Sequence, residues 1–261
     1  MSQPLYVVKI GGNVIDNPEA CSRFLNAFAK LSGVKILVHG GGKVATQIAA
    51  KLQIETQMVE GRRITDKPML DVVTMVYGGL VNKNLVASLQ AIGSNAIGLT
   101  GADGGIIRSV KRPVKTIDYG FVGDIEEVND KQVCALLNSN LVPVIAPLTY
   151  NNEGSLLNTN ADTMASAMAV AMASHYDVNL IYCFEKKGVL SDPDNDDSVI
   201  SSITPEQYAG YKETGAINKG MIPKLDNAFA ALQAGVKKVT ICHADELIHA
   251  ATGNSGTQMS L

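Results

Sequence analysis

Two lysines stand beside glycine turns far apart in this chain. Lys9 precedes Gly11-Gly12, Lys224 ends the run Gly220-Met221-Ile222-Pro223-Lys224, and a carboxylate, Asp162, lies between them in sequence. A phosphoryl group in flight spreads negative charge over its oxygens, so fixed cations and backbone N–H groups can supply most of the catalysis. These residue types therefore suit phosphoryl transfer without a Walker loop. Lys9 carries more information than Lys224. A lysine inside an apolar run is costly unless its ammonium reaches a partner or a cavity, although a snorkelling surface lysine is the alternative. Lys224 falls where helices routinely carry surface lysines.

Gly11-Gly12 and Gly40-Gly41-Gly42 let the backbone turn tightly and bring N–H groups close to an anion. A helix starting straight after such a turn favours the same anion, whereas two plain tight turns are the competing explanation. Gly40-Gly41-Gly42-Lys43-Val44 lacks the earlier glycine and the following Ser or Thr of a P-loop, and no strand-borne G-x-G-x-x-G is present. In Asn158-Thr159-Asn160-Ala161-Asp162, Asn160 and Asp162 could cap a helix or face a ligand. Arg63, in Gly61-Arg62-Arg63-Ile64-Thr65, could grip a carboxylate with both arms of its guanidinium, or belong to a solvated basic loop.

The elements that must position these residues alternate. Leu5 to Ile10 and Val34 to His39 read as strands ending in the glycine turns, with a helix at Pro18 to Leu31 whose stripe is Ala20, Phe24, Ala27, Phe28 and Leu31. Val44 to Leu52 continues as helix, and Lys67 to Ile92 as a longer one interrupted at Gly78-Gly79. Ala96 to Thr100, Val142 to Ala146, Val178 to Cys183 and Val236 to Cys242 read as buried strands, Ile106 to Ile125 as one or two hairpins. Asn160 to His175, Thr204 to Tyr211 and Met221 to Ala234 read as helices. Such alternation predicts an α/β fold with a mostly parallel sheet and binding loops at the carboxyl ends of strands. The best candidate boundary lies near 173–177, giving lobes 1–173 and 174–261.

Hydrophobic residues make up 46% of 261, enough to fill a large core without staples. The four cysteines have no metal or disulfide spacing. Twenty-two basic against 25 acidic side chains, net −3, with 5% aromatics, leave no footprint for nucleic acid. The amino terminus has no signal-like segment and no apolar run approaches a bilayer span, so a soluble cytoplasmic protein is expected. The acidic turn Asp192 to Asp197 reads as a solvated loop, and the four histidines are too dispersed for a metal set, though His39 could orient the glycine turn.

Taken together and in order, Lys9-Ile10-Gly11-Gly12, His39-Gly40-Gly41-Gly42, Gly61-Arg62-Arg63-Ile64-Thr65, Asn158-Thr159-Asn160-Ala161-Asp162 and Gly220-Met221-Ile222-Pro223-Lys224 resemble the motifs of the amino-acid kinase family across nearly the whole chain. The resemblance implies an open αβα sandwich, an acylglutamate site in the amino-terminal lobe and ATP in the carboxyl-terminal lobe, with Mg2+ carried by ATP. It implies that Lys9 and Lys224, from opposite lobes, stabilise the moving phosphoryl group when the lobes close, and that Asp162 holds both ammonium groups. Gly12, Gly41 and Gly42 would present N–H groups, and Arg63 and Asn158 would grip the far end of the substrate. Gly12, Glu185, Gly188 and Asn218 would meet the nucleotide. The implied reaction is phosphorylation of the γ-carboxylate of an N-acetyl- or N-succinyl-glutamate. Carbamate, aspartate, glutamate and UMP kinases share the fold, and a non-catalytic metabolite sensor is the reading from a different class.

The chain departs from the family pattern at two places. Phe184-Glu185-Lys186-Lys187-Gly188 replaces a Ser or Thr followed by Asp, and Lys43 replaces a proline, where its cation, with Arg62 and Arg63, could attract a second carboxylate. A short amino terminus, in the same frame, implies an arginine-insensitive homodimer paired through the helix around Asp71 to Gln90.

Overall fold

The computed structural model describes the chain except Met1, Ser2, Glu60, Gly61, Pro193, Ala216, Asn218, Lys219 and Gly220. Two site residues expected from sequence, Asn218 and the turn glycine Gly220, thus lie outside the described residues, as does Gly61.

In chain order the elements are β1 (Pro4–Ile10), α1 (Gly12–Ile15), α2 (Pro18–Lys30), β2 (Val34–His39), α3 (Gly42–Lys51), β3 (Met58–Val59) and β4 (Arg62–Arg63). A composite helix follows, made of α4 (Lys67–Val73), a π-helical stretch over Thr74–Val81 and α5 (Asn82–Ala91). Then come β5 (Ala96–Leu99), β6 (Ile107–Lys111), β7 (Gly123–Val128), α6 (Asp130–Asn138), β8 (Val142–Ile145), β9 (Leu148–Tyr150), β10 (Leu156–Asn158) and α7 (Ala161–Met172). The rest is β11 (Asp177–Phe184), β12 (Ser202–Ile203), α8 (Pro205–Thr214), α9 (Ile222–Gln233), β13 (Lys238–His243), α10 (Leu247–Thr252) and β14 (Thr257–Met259).

Local chemistry explains several boundaries. Asn17 accepts from the N–H groups of Glu19 and Ala20 at the start of α2, where Pro18 occupies the first turn. Thr204 and Gln207 cap each other's backbone at the start of α8.

The chain forms two compact units, one of residues 1–36 with 165–261 and one of 37–164. This is a different division from the expected lobes 1–173 and 174–261. The reason is strand pairing: β1 lies parallel to β11, Leu5 opposite Val178 through Ile10 opposite Cys183, so the first strand belongs with the carboxyl-terminal segment. In this unit β11 also pairs parallel with β13, which pairs antiparallel with β14, and β12 lies along β14. Leu5, Val7, Val8 and Ile10 are fully buried, as are Leu180 and Tyr182, and each such side chain contributes roughly 1.5–3 kcal/mol by leaving water.

In the unit of 37–164, the end of β2 and β5 both pair parallel with β8, and a second sheet runs β10-β9-β6-β7. The β6–β7 pairing is the hairpin read from Ile106 to Ile125. Gly78-Gly79 does not interrupt the long helix; the chain widens into the π stretch there and runs on. Lys67–Ala91, at 25 residues, is long enough to cross a bilayer and contains an 18-residue window with a mean hydropathy of 1.2, against the expectation that no run approaches such a span. Its Met69, Val72, Val73, Val76 and Leu85 are buried, and its buried Asn82 donates to the carbonyl of Val144, so one face of it serves as core of this unit.

The α/β class with a large, mostly parallel central sheet is the one expected.

Candidate active site

Within the unit of 37–164, a cavity of 190 Å³ is lined by Gly40, Gly41, Gly42, Arg63, Tyr77 and Asn158, together with Arg62, Arg112 and the Thr159–Ala161 segment. The end of β2 delivers the glycine turn, and α3 begins inside it. Gly41 has φ 148°, a region that disfavours any side chain, and a Cβ there would lie 3.2 Å from the Tyr77 ring. The turn is therefore shaped for close approach of backbone to whatever fills the cavity, at the positive end of a helix.

His39 fixes this turn from behind. It is fully buried, its Nδ1 lies 2.7 Å from the carbonyl of Gly40, and the Asn82 amide lies 3.1 Å from its Nε2. A carbonyl can only accept, so Nδ1 carries the proton and Nε2 accepts from Asn82. Burial pushes the imidazole down to about 4, the contact with Gly40 opposing and the nearby Lys83 reinforcing the shift.

Arg63 is the informative cation. Only 7% exposed, it donates to the carbonyl of Gly42 and the hydroxyl of Thr46, both at 2.9 Å, and to the hydroxyl of Thr56 at 3.3 Å. Every one of these acceptors is neutral, and among the described residues no carboxylate pairs with it. A buried, hydrogen-bonded charge without a counter-ion calls for an anion in the cavity it lines. Arg112 differs, because Asp124 accepts from both its Nε and Nη2, at 3.0 and 2.5 Å. Arg62 is exposed, and β4 reverses direction against β3 to bring its neighbour Arg63 inward. Lys43 is exposed and is not among the residues that line the cavity.

Asn158, at the end of β10, lines the same cavity and donates to the hydroxyl of Thr65 at 2.9 Å. Asn160 accepts from the N–H of Thr163, so its capping role is real, and it still lines the cavity. Asp162 sits in the first turn of α7 and is 8% exposed. Tyr77 and Arg112 also line the cavity and were not singled out from sequence. Tyr77 falls in an apolar helical run, where an aromatic reads as core, and burial indeed raises its phenol while Arg63 opposes.

The unit of 1–36 with 165–261 holds the lysines. Lys9, 7% exposed near the end of β1, has its ammonium 4.5 Å from the centroid of the Phe184 ring. The Lys224 ammonium, from the first turn of α9, lies 4.1 Å from the same centroid. The lysines were expected from opposite lobes; they belong to one compact unit and share one ring. Beside them Gly11 donates its N–H to the carbonyl of Cys183 at 3.1 Å, and Gly12 opens α1. Glu185, next to Phe184, accepts from the Asn13 amide at 2.7 Å. Gly188 is required by packing: a Cβ there would meet the Thr257 hydroxyl at 2.6 Å, which accepts from the N–H of Val189 and donates to the carbonyl of Ile200. The acidic turn meets lysines of its own chain segment, Lys186 with Asp196 and Lys187 with Asp197, in exposed pairs.

Residues 4–243 match the model of the amino acid kinase family. A protein of Cytophaga hutchinsonii named acetylglutamate kinase is 58% identical over 260 residues, covering 98% of each chain. Another of that name from Phocaeicola vulgatus is 57% identical over 247 residues, 95% of this chain and 96% of that one. Among solved structures, smu.665 from Streptococcus mutans superposes with a TM-score of 0.79 at 30% identity, covering 98% of both chains.

Proposed function

Because the chain belongs to the amino acid kinase family, we propose that it transfers the γ-phosphoryl group of ATP to the γ-carboxylate of N-acetyl-L-glutamate, a step of arginine biosynthesis. The observation that carries this reading is Arg63, a buried cation with only neutral partners among the described residues, lining a cavity with a glycine turn at a helix start. That end of the cavity receives a carboxylate of the substrate, with Asn158 beside it. Arg112 is already balanced by Asp124, which favours N-acetyl-glutamate, with its two carboxylates, over N-succinyl-glutamate, with three.

A carboxylate oxygen attacks the γ-phosphorus, the bond from that phosphorus to the bridging oxygen of ADP breaks, and an acyl phosphate and ADP leave. The attacking carboxylate is ionised near pH 7, since an ordinary glutamate titrates at about 4.3, so no general base is needed. Lys9 and Lys224 neutralise charge on the phosphoryl oxygens, and Asp162 keeps the two ammonium groups in place. Gly12, Gly41 and Gly42 present N–H groups. Glu185, Gly188 and Asn218 belong to the nucleotide side, and Mg2+ arrives with ATP. The protein works in the cytoplasm as a homodimer paired through the Lys67–Ala91 helix.

Coupled measurement of ADP release tests the proposal, with N-acetyl-L-glutamate as substrate and N-succinyl-L-glutamate, aspartate and glutamate as comparisons. Turnover with the acetyl compound is expected, and Lys9→Ala should lower kcat at least about a hundredfold, as losing a charge contact to the transition state does. Absence of turnover with any acylglutamate, or a Lys9→Ala protein with intact kcat, would sink it.

A further inference from the structure

Phe184 has no assigned role in the reaction, yet it is the residue against which both lysines rest. It ends β11, two positions after the fully buried Tyr182, and the two rings stack with centroids 6.4 Å apart at 15°. Tyr182 pairs with Lys9 in the β1–β11 register, so Lys9 and the two aromatic rings share one face of the sheet. The Lys9 and Lys224 ammonium groups lie 4.5 and 4.1 Å from the Phe184 centroid, well within the ~6 Å over which an aromatic ring attracts a cation. A Cβ at Gly11 would lie 3.4 Å from Phe184 Cδ1, in ordinary van der Waals contact with the ring.

Two ammonium groups drawn to one place repel each other. An aromatic ring attracts cations through its quadrupole, carries no net charge and takes no proton. It can therefore localise both lysines while leaving their combined charge in place.

We propose that Phe184 is a positioning residue, and that the electron-rich face of its ring sets the placement of Lys9 and Lys224 for phosphoryl transfer. The inference rests on the phosphoryl-transfer reading above.

The test uses the full chain and steady-state kinetics with ATP and N-acetyl-L-glutamate, with melting temperatures measured alongside. Phe184→Tyr keeps a ring of similar electron density and should retain kcat within about twofold. Phe184→Leu should lose about tenfold in kcat, the size expected of a partly desolvated cation–ring contact, with KM for the acylglutamate unchanged within twofold. In a second series, mono-, di- and trifluorinated phenylalanine at position 184 preserve shape while draining the ring face, and kcat should fall stepwise. A flat fluorination series, or a Phe184→Tyr protein as impaired as Phe184→Leu, overturns the proposal. A wild-type chain that releases no ADP overturns the phosphoryl-transfer reading itself, which separates the two failures.

Discussion

Arg63 is a guanidinium that the fold withdraws from water and surrounds with a carbonyl, two hydroxyls and a thioether. Its planar fork reaches Thr46 and Thr56 together, which a lysine cannot do. Arg63→Lys should therefore raise KM for the acylglutamate at least about tenfold while kcat stays within twofold, because the group grips the substrate far from the reacting phosphorus. Steady-state kinetics at saturating ATP check this, and a loss confined to kcat would contradict it. From sequence, Arg62 and Arg63 look alike, and only the pairing of β4 with β3 distinguishes the exposed residue from the buried one. Lys9 was legible because an apolar strand made its charge conspicuous. Phe184 was not, since an aromatic at the end of a strand carries no mark of the distant lysine that will join it.

At the level of elements, the glycine turn between β2 and α3 is held by a buried neutral histidine. The folded imidazole titrates at about 4 against an ordinary 6.5. Between those values the unfolded chain takes up a proton that the folded protein refuses, so stability is lost as pH falls from about 6.5 towards 4 and levels off below. The effect amounts to about 3 kcal/mol at most. Urea midpoints of wild type and His39→Gln should diverge least at pH 4 and grow apart towards pH 7, the wild type having the steeper profile; parallel profiles would exclude His39 as the source. The alternation of strands and helices around this turn was legible from periodicity and glycine placement. The π stretch was not, because Gly78-Gly79 in sequence signals a break, and only tertiary packing decides that the helix widens and continues. The short strands β9, β10 and β12 and the antiparallel β14 were also invisible, being two or three residues long and defined by their partners.

For the whole molecule, Met75 and Leu80 of the composite helix stand 55% and 47% exposed on a helix otherwise rich in buried residues. If that face pairs two copies, the double substitution Met75→Glu with Leu80→Glu should convert a dimer to a monomer in sedimentation velocity, with far-UV circular dichroism unchanged. A wild-type monomer would remove the dimer from the proposal. The compact units divide the chain otherwise than lobes 1–173 and 174–261, because β1 finds its partner β11 about 170 residues later. One unit is consequently a single unbroken stretch, 37–164, spliced into another whose two pieces are made first and last. On the ribosome, at about 5–20 residues per second, the uninterrupted stretch can finish folding while β1 still waits seconds for β11. The nascent chain thus carries an apolar strand without its β11 partner through most of its synthesis, and that strand is where a holdase chaperone would be expected to bind.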